Sequence, residues 1–338
     1  MTTRLAIIGA GIMGADHARI FAEEVPGAVL SVICDASEDR ARDVADRTGA
    51  TDISTDPTGT IARKDVDAVL IASPDDTHAD LTLAAIAAGK PVMCEKPLAP
   101  TTQDCRRIIE AEIAAGQRFV QVGYMRRFDP AYTQMKAVLE SGDLGRAIMM
   151  HNFHRNVESP PWFTGAMAIT NSAPHEFDAV RFVLDVDIRS ISASQPKRSD
   201  DLVAPVVMIL QTTGDQLVTI EVNNNAAYGY DVRGELVGER ASVTLGTPVW
   251  SRGHTGLTAT ETYAADWRPR FAEAYRLQNR AFLTFANTGV PSAIASTAWD
   301  GMLSTLIADK GVEALASGKT IDIEIPKMPD FYRKSKGG

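Results

Sequence analysis

Four short segments of the chain carry residue types and spacings that can do chemistry. Gly9-Ala10-Gly11-Ile12-Met13-Gly14 is a complete G-x-G-x-x-G, set between an apolar run, Leu5 to Ile8, and a stretch of helical periodicity, Met13 to Glu23. In that setting Gly9 permits a tight turn, Gly11 lets backbone N–H groups approach a pyrophosphate, and Gly14 lets helix and strand pack closely. Ile12 and Met13 lie on the first turn of that helix, whose unpaired N–H groups and partial positive charge face the anion. Asp35 closes the next apolar run, Val29 to Cys34. A carboxylate there accepts hydrogen bonds from ribose hydroxyls and repels a 2′-phosphate, which favours NAD. Arg40 nearby weakens that preference and keeps NADP possible. Val92-Met93-Cys94-Glu95-Lys96-Pro97-Leu98 places Glu95, Lys96 and Pro97 at the carboxyl end of a predicted strand, the edge where open parallel sheets bind ligands. The fourth segment, Asn171 to Phe182, reads as a helix. Asn171 and His175 share a face there if the first turn is regular, with Pro174 inside that turn, where its missing N–H costs little.

The elements that must position these residues follow from periodicity. Apolar runs at Leu5–Ile8, Val29–Cys34, Ala68–Ala72, Pro91–Cys94 and Phe119–Gly123 alternate with helical patterns at 13–23, 38–47, 78–88 and 101–115. Strands without polar alternation, separated by helices, mean a parallel sheet covered on both faces. After Gly123 the pattern changes. A helix is expected over Phe128–Glu140, then longer strands at 147–154, 189–194, 206–213, 216–223, 229–237 and 241–245, and helices at about 271–287 and 297–316. That spacing suits a mostly antiparallel sheet with one face buried. The expected division is a dinucleotide-binding domain over 1–122 and a substrate-binding and oligomerisation domain over 123–338. The tail Arg333–Gly338 is expected to fray.

Composition removes several function classes. Of the 338 residues 45% are hydrophobic, enough for two cored domains. The formal net charge of -9 disfavours nucleic acid and anionic lipid as partners. No apolar run approaches the roughly 20 residues of a membrane span, and the short apolar stretch near the N-terminus is no signal-peptide core. A cytoplasmic location is expected. Cys34, Cys94 and Cys105 lack metal spacing and read as small buried hydrophobes, with no metal expected.

At these residues the chain resembles the Gfo/Idh/MocA oxidoreductase family, most of all its inositol 2-dehydrogenases. The resemblance covers nearly the whole chain: Gly9 to Gly14, Ala72-Ser73-Pro74 with His78, Glu95-Lys96-Pro97, Gly123 to Asp129, His175-Glu176-Phe177-Asp178, and Tyr228 to Glu235. It implies an N-terminal Rossmann domain with a doubly wound parallel sheet. It also implies a C-terminal α/β domain whose large open sheet often builds a dimer or tetramer. The implied chemistry is NAD-dependent oxidation of a secondary alcohol of a cyclic polyol or sugar, with hydride passing to nicotinamide C4 while a base takes the hydroxyl proton. Lys96 and His175 would line that site. The family usually has an aspartate four residues before the histidine, and here that position is Asn171. An amide still orients a ring by hydrogen bonding but supplies no charge. Two other readings stand beside this one: an NADPH-dependent keto-sugar reductase, and a non-catalytic dinucleotide-binding sensor.

Further expectations attach to single residues. Ser73, Pro74 and Glu95 are placed on the cofactor wall with Lys96. His78 is expected to touch the cofactor or to cap the helix it begins. His17 reads as surface or packing. Met125, Arg126, His154, Asn156, Ser172 and Tyr230 are candidate substrate contacts, and Arg127 suits a structural ion pair. Trp267 and Phe271 suit a sugar face or an inter-subunit contact.

Overall fold

The structure is a computed structural model that describes residues 2–246 and 252–333. Of the tail expected to fray, 334–338 lie outside the described residues. The chain divides into two compact units, the first comprising Met1–Phe128, Glu273–Thr305 and Lys327–Gly338, the second Asp129–Ala272 and Leu306–Pro326. A single boundary after residue 122 does not follow that grouping, because late segments of the chain return to the first unit.

The first unit is built on β1 (Thr3–Ile8), α1 (Ile12–Glu23), β2 (Ala28–Cys34), α2 (Glu38–Thr48), β3 (Asp52–Ser54), α3 (Pro57–Ala62), β4 (Ala68–Ile71), α4 (His78–Ala87), β5 (Val92–Cys94), α5 (Thr102–Ala115) and β6 (Val120–Val122). Its sheet is parallel, in the order β3-β2-β1-β4-β5-β6. The chain winds outward from β1 in both directions. Right-handed crossovers therefore place α1 and α2, which pack together, and α4 and α5, which also pack together, on opposite faces. The strands are short and their interiors fully buried, Ala6, Val32, Val69 and Met93 among them. That burial explains the absence of polar alternation in the sequence. The order reverses between β1 and β4, which opens the crevice at their carboxyl ends where such sheets bind ligands. β3 and α3 were not expected. Asp52–Ser54 is too short for periodicity to register, although Asp56 accepting from Gly59 N at 2.9 Å and Pro57 in the first turn are ordinary start signals.

The second unit begins with α6 (Pro130–Glu140) and β7 (Ala147–Arg155), followed by α7 (Gly165–Met167), a π-helical turn over Ala168–Ser172, and α8 (Pro174–Leu184). Then come β8 (Ile188–Ser194), β9 (Val206–Thr212), β10 (Leu217–Asn223), β11 (Asp231–Gly238), β12 (Ser242–Thr244) and a hairpin of β13 (Arg252–Thr255) with β14 (Thr258–Glu261). The remaining elements are α9 (Trp267–Thr288), α10 (Ala298–Ser317) and β15 (Ile321–Asp322). The large sheet runs β12-β11-β7-β10-β9-β8-β15 and is antiparallel except for the β7–β10 pair. Alternation is strict along β9, which is buried at Val206, Met208 and Leu210 and exposed at Val207, Ile209 and Gln211. One face packs against α8, and the register puts Val206, Val222, His154 and Val232 in one row on it. On the other face, Ser192, Ile209, Thr219, His151 and Glu235 form one row and Ser194, Val207, Glu221, Phe153 and Arg233 the next.

Candidate active site

The carboxyl ends of the parallel strands gather the first set of expected residues. Gly9 leaves β1 at φ 99°, and its N–H donates to Cys34 O at 2.7 Å. A Cβ on Gly9 would lie 2.4 Å from Ala72 O, and one on Gly14 would lie 1.8 Å from Gly9 O. Both glycines are therefore required by backbone contact. Gly11 differs: nothing lies within 4 Å of where its Cβ would be. It is the N-cap of α1 and no side chain caps that end, so the first-turn N–H groups stay available to an anion. Ile12 is exposed beside them and Met13 half-buried.

Asp35 follows β2 and is held from three sides. Oδ2 accepts from Ala10 N at 2.7 Å, and Oδ1 accepts from Ser37 N at 2.8 Å and Arg40 Nη2 at 2.8 Å. Burial works against its charge, but the Ser37 and Ala10 N–H groups and the Arg40 guanidinium outweigh it and keep the carboxyl below its ordinary value. Asp35 thus stays ionised just past the carboxyl end of β2, and Arg40 is occupied with it. Replacing Asp35 with Ser removes a charged acceptor worth about 1.5–3 kcal/mol to a ribose hydroxyl, roughly tenfold to a hundredfold in NAD affinity. The same change frees Arg40 for a 2′-phosphate. The expected outcome is inversion of the NAD-to-NADP ratio of kcat/KM, read in parallel assays with the two cofactors.

Ser73 and Pro74 follow β4, and Ser73 Oγ pairs with Thr77 Oγ1 at 2.6 Å. Lys96 follows β5, half-buried, with its N–H donating to Glu95 Oε2 at 3.1 Å. Two expectations change here. Glu95 is buried, and its carboxylate pairs inward with His17 Nε2 at 2.9 Å instead of lining the cofactor wall. Gly123 leaves room for it, since a Cβ there would come within 2.7 Å of the carboxylate. His78 is 1% exposed and neither caps α4 nor faces outward. Its Nδ1 meets Pro97 O at 2.7 Å and its Nε2 meets Ser73 O at 3.0 Å. Glu95 meets His17 from 78 residues away and His78 meets Pro97 from 19, so sequence spacing carried no signal of those two pairings. Of the two expectations for His17 the structure selects packing: it is buried on α1, bonded to Glu95 and, through Nδ1, to Asn279 at 3.0 Å. Met125 and Arg126 follow β6 in a 3-10 turn and are both buried, while Arg127 makes the expected ion pair, to Asp300 at 3.2 Å.

The second unit gathers the other set. His154 is the penultimate residue of β7, on the face that packs against α8, with Nδ1 3.1 Å from Glu176 Oε1. Its ring lies 6.3 Å from that of His175 and 6.5 Å from that of Tyr230. Glu176 is fully buried and was named only as part of a motif; the structure makes it the carboxylate that orients His154. Tyr230 N donates to Ala264 O at 2.8 Å, and its ring meets Phe271 edge-on at 6.4 Å. Phe271 is fully buried in this core and offers no sugar face, while Trp267 opens α9. Ser172 Oγ accepts from Asn224 Nδ2 at 3.0 Å, and Asn171 Oδ1 accepts from Thr170 Oγ1 at 2.7 Å. Asn156 lies just past β7, its N–H donating to Asn223 O at 2.9 Å. The regular first turn expected for Asn171 and His175 is absent. Pro174 has no N–H to return to the preceding turn, and the chain widens, with Ala173 N donating to Ala168 O at 3.0 Å. Such π turns recur at functional sites.

A profile of the oxidoreductase family with an NAD-binding Rossmann fold, Gfo/Idh/MocA, matches residues 3–124, and one of the Gfo/Idh/MocA C-terminal domain matches 132–244. The chain belongs to the Gfo/Idh/MocA oxidoreductase family. An inositol 2-dehydrogenase of Saccharopolyspora erythraea is 42% identical over 98% of both chains. One of Klebsiella pneumoniae is 36% identical over 99% of this chain and all of that one. Among solved structures, the myo-inositol dehydrogenase of Lactobacillus casei, in complex with NAD(H) and myo-inositol, superposes with a TM-score of 0.93. It is 26% identical, over 98% of this chain and all of that one. As a Gfo/Idh/MocA protein the chain carries its NAD-binding Rossmann domain in the first unit, and the uncapped α1, open Gly11 and ionised Asp35 fit that cofactor residue by residue. No helix among the described residues is long and apolar enough to cross a membrane.

Proposed function

We propose that the chain is an NAD-dependent dehydrogenase that oxidises one secondary alcohol of an inositol-like cyclic polyol to a ketone. The observation that carries this reading is Lys96 on the same sheet edge as the Gly9–Gly14 turn and Asp35. The kinship with inositol 2-dehydrogenases supports the choice of substrate. When bound, the dinucleotide supplies the hydride acceptor. Gly11 and the α1 N-terminus bind the pyrophosphate, and Asp35 accepts from the ribose hydroxyls. Lys96 Nζ takes the proton of the reacting hydroxyl. His175, and His154 oriented by Glu176, are the second unit's candidate hydrogen-bond partners for polyol hydroxyls. Asn171 orients without adding charge, while Met125, Arg126, Asn156, Ser172 and Tyr230 are the other candidate polyol contacts. The test is a screen of inositols and aldoses with NAD, following absorbance of the reduced cofactor. Turnover of aldoses with no turnover of any inositol would overturn the substrate assignment.

The same reading makes the chain a homo-oligomer, a dimer or a tetramer, through the outward face of the large sheet. Val207 and Ile209 stand 42% and 45% exposed there, flanked by Phe153 and by the Arg155–Glu221 pair at 2.7 Å. A sheet face with solvent-facing branched apolar residues is the kind of surface that a second copy covers. Ile209→Arg should leave the monomer folded and shift sedimentation to a smaller species. An unchanged sedimentation coefficient would remove this face from the assembly.

A further inference from the structure

Two loops of the first unit meet at one buried ring. The loop after β4 carries Ser73 and Pro74, and the loop after β5 carries Glu95, Lys96 and Pro97. His78, at the first residue of α4, puts Nε2 3.0 Å from Ser73 O and Nδ1 2.7 Å from Pro97 O. Both partners are backbone carbonyls, which only accept. A neutral imidazole has one N–H, so one of its nitrogens would turn a lone pair toward a carbonyl lone pair at hydrogen-bond distance. The doubly protonated ring satisfies both contacts. An amide partner could reverse its role by flipping, but a carbonyl cannot.

We propose that His78 is a buried imidazolium that positions Lys96, tying the Lys96 loop to the Ser73 loop beside the dinucleotide turn. This rests on the assignment of Lys96 as the base. Ser73 follows Ala72, whose carbonyl lies against Gly9, so the tie runs from the turn through the Ser73 loop to Pro97, the residue next to Lys96. The Lys96 loop is fixed on its other side by Glu95, whose carboxylate holds both Lys96 N and His17. The titratable groups facing His78 are Cys94 on β5 and Asp75 in the turn before α4. Burial disfavours the charged ring, but the Cys94 side chain, the Pro97 carbonyl and Asp75 favour it and raise its pKa.

The test compares His78→Gln with Lys96→Ala and the wild type, using NAD and ring-deuterated myo-inositol. A displaced Lys96 should lower kcat by up to about a hundredfold, the scale of a 1 Å misplacement. It should also bring the deuterium isotope effect on kcat to its full value, while NAD affinity stays within about threefold. An unaltered kcat and isotope effect in His78→Gln, with Lys96→Ala inactive, would overturn the positioning role alone. A fully active Lys96→Ala would overturn the parent assignment instead. The protonation state is read on the wild type, independently of how the variant folds. A histidine-selective 15N spectrum of the six histidines at pH 8 should show one ring with both nitrogens protonated. Only singly protonated rings would overturn the imidazolium.

Discussion

Lys96→Ala should abolish turnover while leaving the dinucleotide site intact. Lys96 stands at the carboxyl end of β5, with its backbone held by Glu95 and its loop by His78. Truncation at Cβ removes the amine without disturbing either hold. General-base catalysis contributes about 10²–10⁴-fold, and kcat should fall by that factor or more. The α1 N-terminus and Asp35 are unaffected, so NAD affinity should stay within about tenfold, roughly 1.4 kcal/mol. Fluorescence titration with NAD and a turnover assay at saturating polyol separate the two quantities. Retention of most of the wild-type kcat would remove the lysine from the chemistry.

The second large effect separates folding from cofactor binding within six residues of chain. Gly14→Ala places a methyl 1.8 Å from a backbone oxygen, that of Gly9, and no side-chain rotation relieves it. Helix α1 must move off the turn, at about 3 kcal/mol or more, the upper part of the range for overpacking. Thermal stability and NAD binding should fall together. Gly11→Ala meets nothing within 4 Å, and its φ of -72° suits any residue. Its stability without cofactor should stay within about 0.5 kcal/mol of wild type. NAD affinity should still drop at least about tenfold, since the methyl occupies the approach of the pyrophosphate. Calorimetry with and without NAD reads both variants. Equal loss of apo stability in the two would refute the division of roles.

Much of the site was legible because its signals are local. A glycine in a tight turn, a carboxylate at a strand end and a lysine just past a strand each lie within a few residues of the element that places them. The π turn before α8 hides its own signal, for Pro174 fits the first turn of a regular helix equally well. Only the Ala173 to Ala168 hydrogen bond reveals the wider turn.

The sequence by itself determined the parallel Rossmann sheet, the one-sided antiparallel sheet, and the positions of Gly9, Gly11, Gly14, Asp35 and Lys96. Apolar periodicity and glycine placement are short-range properties, and they act before any tertiary contact exists. Only the tertiary structure decided that His17, Glu95 and His78 turn inward around the Lys96 loop, and that Glu176 serves His154. Those pairings join residues 78, 19 and 22 positions apart. A buried polar side chain must find whichever partner the packed strands bring to it, and which partner that is depends on the strand order of the folded sheet.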